Sequence, residues 1–65
     1  MIDYEKRLIR LSQVREMTGL SKTSIYARIA EGTFPRQILI GPRIVAWIDS
    51  DIKEWIETQI KKSRG

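Results

Sequence analysis

The chain has no cysteine and no histidine. Without thiols it can form neither a disulfide framework nor a zinc–thiolate centre. Without imidazole it lacks the side chain most often used for proton transfer near neutral pH. Asp49 and Asp51 stand two apart at the start of an expected helix, where capping explains them better than acid–base chemistry. An enzyme is therefore not expected, nor a metal, a cofactor or a small-molecule ligand. No apolar run approaches the roughly 20 residues that cross a bilayer, and the opening MIDYEKR has no apolar core of a signal peptide. The expectation is a soluble, cytoplasmic chain with no membrane partner. Glycine and proline are scarce, at four and two, so each one punctuates the fold.

What is present is charge of one prevailing sign. Twelve Lys and Arg oppose eight Asp and Glu, a net charge of +4 with a pI near 9.9, which suggests a polyanionic partner such as nucleic acid. Arg7, Arg10 and Arg15 lie before or within the first expected helix, Lys22 and Arg28 on the second, and Arg36 and Arg43 around the segment after it. The acids Asp49, Asp51, Glu54 and Glu57 fall in the last third. A basic front and an acidic back would orient the molecule on DNA. At 65 residues the chain is long enough for one domain, and its core must be tight or helped by a partner. There is no internal repeat, low-complexity segment or dividing linker. Residues 1–6 read as a loose arm and 7–65 as a single domain.

The stretch LSQVREMTGLSKTSIYARIAEG, Leu11 to Gly32, predicts two short helices around a tight turn. Ser12 is placed to cap the first, Gly19 to end it, Ser21 to cap the second and Gly32 to end that. Leu11, Val14 and Met17 share one side of the first helix. Ile25 and Ile29, flanked by Tyr26 and Ala30, share one side of the second, with Leu20 beneath the turn. Two helices, a glycine-bearing turn and facing apolar stripes are the pattern of a helix-turn-helix. On the second helix Thr23, Ser24, Ala27, Arg28 and Glu31 point away from the apolar side. Such a face is either plainly solvated or slim and polar enough to enter a DNA major groove.

Arg7–Leu11 reads as a short extended lead-in. Phe34, held extended by Pro35, is expected as a core plug rather than a base-stacking ring. Gln37–Ile40 and Ile44–Trp47, rich in β-branched residues, predict a hairpin. Pro42 takes the second turn position, Gly41 supplies the sharp bend and Arg43 stands at the tip. Asp49 or Ser50 is expected to cap a last helix whose stripe is Ile52, Trp55, Ile56 and Ile60, with Lys61, Lys62 and Arg64 complementing its dipole. Trp47 and Trp55 are expected in the core or as a lid over the helix pair. The predicted class is mainly α with a small β-hairpin, a winged helix-turn-helix.

In that order and spacing, TGLSKTSIY, EGTFP, LIGPRIVAW and the closing EWI make Arg7 to Ile60 resemble the AlpA family of prophage regulatory proteins, related in fold to excisionases and to MerR regulators. The resemblance implies a small bacterial, nucleoid-associated transcriptional regulator, with the Ser21–Gly32 helix in the major groove and the hairpin as wing. By position Lys22 matches the basic residue after the capping serine, and Arg43 the arginine of the GPR turn. The sequence departs from the family at Ala27, where many members carry arginine, and at Thr33, often basic, which leaves more of the reading to Arg28. The expected DNA-binding set is Ser21, Lys22, Thr23, Ser24, Tyr26, Arg28, Arg36 and Arg43. Thr23, Ser24 and Arg28 are assigned to bases, and Lys22 and Tyr26 to the backbone, with a plain core role for Tyr26 left open. The expected partner is double-stranded DNA, bound as a dimer or as adjacent copies on repeated sites. An exposed part of the Ile52–Ile60 stripe is one candidate contact between copies. Two alternatives stay open: an excisionase-like DNA-bending factor, and a protein-interaction module using the Trp47/Trp55 surface.

Overall fold

A computed structural model describes residues 6–65. The loose arm expected over residues 1–6 therefore lies outside the described residues except for Lys6. The chain runs β1 (Leu8–Ile9), α1 (Leu11–Thr18), α2 (Lys22–Glu31), β2 (Ile38–Gly41), β3 (Ile44–Ile48) and α3 (Asp49–Arg64). It is mainly α with a small antiparallel sheet in the order β1-β3-β2, the winged helix-turn-helix arrangement. The extended lead-in is more than a connector, because Leu8 pairs with Ile48 and Ile9 with Trp47.

The helix-turn-helix forms as its punctuation directs, with one exception. Gly19 and Gly32 both adopt positive φ, +74° and +79°, the left-handed cap in which a side chain would be strained. The Ser21 hydroxyl accepts the Ser24 amide at 3.1 Å. Ser12 does not cap α1. The helix has already begun at Leu11, since the Gln13 and Val14 amides donate to the Arg10 carbonyl, and the Gln13 side chain instead accepts the Arg10 amide at 3.2 Å.

Neither Asp49 nor Ser50 caps α3. Ile48 holds the cap position without a side-chain bond, because pairing of β1 with β3 brings the Arg7 carbonyl to the Asp49 amide at 2.7 Å. The Asp49 carboxylate is buried and meets Lys53 at 3.1 Å and Arg7 at 3.8 Å. The basic front loses Arg7 to this pairing.

Ile9, Val14, Ile25, Phe34, Trp47 and Ile52 form one buried cluster that draws on every element except β2. Phe34 is the expected plug. Its ring lies 4.8 Å from that of Trp55, which covers it as a half-buried lid. The Trp47 indole N–H donates to the Pro35 carbonyl at 3.1 Å and the Trp55 indole N–H to the Thr33 carbonyl at 2.7 Å. The loop after α2 is thus fastened to β3, to α3 and to the core between them. Phe34→Ala should cost about 3–5 kcal/mol, a large part of the stability of so small a fold. Loss of a cooperative thermal transition near room temperature, followed by circular dichroism, checks this.

In the hairpin, Ile38 pairs with Ala46, Leu39 with Val45 and Gly41 with Ile44, leaving Ile40 as the extra residue of a bulge. Pro42 and Arg43 form the loop. The conformational demand falls on Arg43, at φ +62°, and not on Gly41 as expected. Pro42 fixes a negative φ, and a left-handed residue after it gives the order of a type II turn, a place that favours glycine. Arg43→Gly should therefore raise stability by about 1 kcal/mol, read as a higher midpoint in urea. An unchanged or lower midpoint would show that the arginine side chain offsets its own backbone strain.

Candidate nucleic-acid interface

The second helix is held from beneath by Ile25, fully buried, and by the half-buried Ile29 and Tyr26 packed on the core. The Tyr26 ring meets Trp47 edge-on, with centroids 6.3 Å apart and planes at 64°. With that side anchored, the exposed arc of α2 is Thr23, Ala27, Ala30 and Glu31. Ala30 was expected against the core. It is exposed instead, because a 100° step per residue places it beside Thr23 rather than beside Ile29. Three of these four side chains are small, so the helix backbone can approach a flat or grooved surface closely.

Each flank of the arc is a groove of different character. Toward the hairpin, Lys22 and Tyr26 of α2, Arg10 and Ser12 at the start of α1, and Arg43 and Val45 of the hairpin line a cleft of about 540 Å³. Three of those residues are cationic and none is acidic, so the cleft concentrates positive potential beside the exposed arc. Tyr26 packs on Trp47, as its core reading has it, and also lines this cleft. Toward α3, Arg28 and Glu31 line a wider groove with Phe34, Trp55, Glu54 and Glu57. Arg28 is half-buried, and its Nε is out of solvent without a hydrogen-bond partner among the described residues. The basic residues of α2 thus leave the helix on opposite sides.

The remaining expected residues are distributed as follows. Thr23 is fully outward, whereas Ser24 is half-buried beside the Ser21 cap. Ser21 is exposed in a shallow depression at the helix-turn-helix turn, shared with Ser12, Arg15 and Gly19. Arg36 is exposed on the segment before β2 and lines neither α2 groove. Thr33 has a role of its own. Its amide and its hydroxyl both donate to the Arg28 carbonyl, at 2.9 and 3.2 Å, closing the end of α2 where a basic residue would only complement the dipole. Arg10 and Ser12 also line the cleft; Arg10 was expected in the basic front that meets phosphates, though outside the named DNA-binding set, and Ser12 was expected in neither. Arg10 carried a signal in its position before α1, but Ser12 was assigned to a cap it does not form.

The Ser21 hydroxyl is the side-chain cap at the start of α2, so Ser21→Ala should cost about 1 kcal/mol. Chemical denaturation should show that loss, with hydrogen exchange fastest at the Ser24 and Ile25 amides. Unchanged exchange there would mean that the backbone alone holds the helix start.

Comparison with known proteins gives concordant findings. A family model described as Prophage CP4-57 regulatory protein (AlpA) matches residues 7–60. An "Uncharacterized protein ORF88" of Enterobacteria phage P4 is 36% identical over 62 residues, covering 94% of this chain and 70% of its own. The "DNA-binding transcriptional activator AlpA" of Escherichia coli (strain K12) is 31% identical over 61 residues, covering 85% of this chain and 87% of its own.

Proposed function

Because the chain belongs to the AlpA family of prophage regulatory proteins, we propose that it is a double-stranded DNA-binding transcriptional regulator of prophage or mobile-element genes. The observation that carries this reading is the small-residue arc of α2 lying beside a cleft lined by Arg10, Lys22 and Arg43. A helix entering a major groove needs slender residues where it is deepest and cations where the phosphates flank it. Thr23 is the outward hydrogen-bonding group on the arc, and Ala27 and Ala30 suit the methyl of thymine. Lys22, Arg10 and Arg43 hold phosphates. Arg28 reaches the opposite groove wall from the α3 side, and Ser24 lies between it and Thr23. Arg36 adds a further positive charge at the foot of the hairpin. Control of gene expression uses the same surface as a recombination factor would. Binding sites mapped to promoters support the regulatory role, and sites flanking an integration junction would replace it with an excisionase-like one.

Arg43→Ala should weaken binding about equally on preferred and random duplexes and lower the salt slope by about 0.9, the share of one phosphate contact. Loss confined to one base step would place Arg43 in a narrow minor groove instead. Arg28→Ala should cost about 1–3 kcal/mol on the preferred site and relax the choice at one base pair. Parallel titrations on preferred and random duplexes read this directly, and an equal loss on both would make Arg28 a phosphate contact.

A further inference from the structure

Side chains alternate across a strand, and here one face of the sheet turns toward the core, apart from the exposed Leu39 beside Val45, while the other carries exposed apolar side chains around the buried Ala46. Ile9, Val45 and Trp47 point toward the helices and join or pack on the buried cluster. The register sets Leu8 beside Ile48 and Ile38 beside Ala46 on the opposite face, with Ile44 two residues along from Ala46. All five are apolar and none belongs to the core cluster; Ala46 is fully buried among its neighbours and Ile48 half-buried. Leu8, Ile38 and Ile44 remain 49%, 36% and 39% exposed. A solvated sheet face ordinarily carries polar residues at these positions. On α3, by contrast, Ile60 is the only large apolar residue left exposed, at 41%. The surface between copies expected on the α3 stripe is therefore poorer than the one on the sheet.

We propose that the Leu8–Ile38–Ile44 face packs against the same face of a second copy of the chain, and does so when both are on DNA. This rests on the DNA-binding reading above. Self-complementarity favours that occupant, and two further points confine the contact to DNA. The face carries no charge of its own, so it offers no electrostatic match to a charged partner, while a two-fold contact needs only self-complementarity. Its exposed area is on the order of a few hundred Å², well below the ~800 Å² per partner of a stable interface. Each copy also carries a net charge of +4, which opposes association in free solution. Phosphates neutralise that charge, and neighbouring sites supply a high effective concentration, so a small apolar contact suffices there. Val45 lines the cleft beside α2 whereas Ile44 and Ala46 point to the other side of the sheet, so the contact leaves α2 and Arg43 free. A two-fold contact also requires that the paired half-sites be inverted.

The test uses the full chain on duplexes carrying one copy, two inverted copies or two direct copies of the site that it selects from random DNA. The expected result is a monomer in free solution and a second inverted site bound about tenfold more tightly than the first. The double variant Ile38→Thr, Ile44→Thr keeps β-branched side chains and should bind the single site normally while the tenfold advantage disappears. Ile44→Cys, the only thiol in the chain, should cross-link two copies through a short bis-maleimide on the inverted duplex. Glu57→Cys on α3 should not.

Equal loss of single-site affinity in the double variant would put the face on DNA, and cooperativity on direct copies alone would require a head-to-tail contact. Cooperativity that depends on residues 1–5 and not on Ile38 and Ile44 would make the arm the contact. Any of these overturns the proposal. Normal single-site binding without cooperativity or cross-linking sinks this proposal alone, whereas failure to bind the single site sinks the DNA-binding reading beneath it.

Discussion

Trp47 is the residue through which the two halves of the molecule know each other's position. It is fully buried at the centre of β3. It pairs with Ile9 across the sheet, takes the edge of Tyr26 from α2, and donates its indole N–H to the Pro35 carbonyl. An aromatic ring of this size contributes a large buried area, and its one polar atom is satisfied, so burial carries no unpaired donor. The angle between α2 and the hairpin follows from that packing. The cleft between them, with its three cations, is a consequence of where the indole sits. Remove the ring and α2 and Arg43 lose their common reference.

The same economy governs the loop after α2. Thr33, Phe34 and Pro35 give, in succession, an acceptor for Trp55, a plug for the core and an acceptor for Trp47. Three adjacent residues therefore fix α3 and β3 to the end of the helix expected to read DNA. The conformational demands are met by Gly19 and Gly32 at helix ends, where glycine is cheap, and by Arg43 at the hairpin tip, where it is not. A left-handed arginine at a solvent-exposed turn is a local cost of about 1–2 kcal/mol, and strain of that kind is concentrated at functional positions.

Much of this was legible in the sequence because the signals were local. Glycine and serine set the limits of α2, and the period of Ile25 and Ile29 chose its buried side. Pro42 placed the hairpin turn, and Phe34 before Pro35 announced the plug. One error was local and one arose where a distant partner decided the matter. Ser12 and Asp49 both looked like caps. The Arg10 carbonyl starts α1 one residue early, and the Arg7 carbonyl accepts Asp49's own amide, which depends on β1 pairing with β3, a pairing that two residues of strand cannot advertise. For the candidate interface, Thr23, Ala27 and Glu31 were readable from the wheel of α2 as outward, whereas Ser24 and Arg28 are half-buried and Ala30 is exposed. The wheel could not show that Lys22 and Arg28 face different grooves, since that depends on where the hairpin and α3 come to rest. The apolar back of the sheet was hidden because a run such as ILI reads as buried whichever face it turns inward.

In the DNA-binding reading, the outward arc of α2 and the cationic cleft beside it form the face that meets DNA. Amide chemical-shift mapping of the labelled chain during titration with a short duplex tests it most directly. The largest changes should fall on Lys22 to Ala30 and on Arg10 and Arg43 across the cleft, with Glu54 to Lys61 of α3 nearly still. Changes centred on Trp55 and the α3 groove, with α2 from Thr23 to Ala27 unmoved, would contradict it.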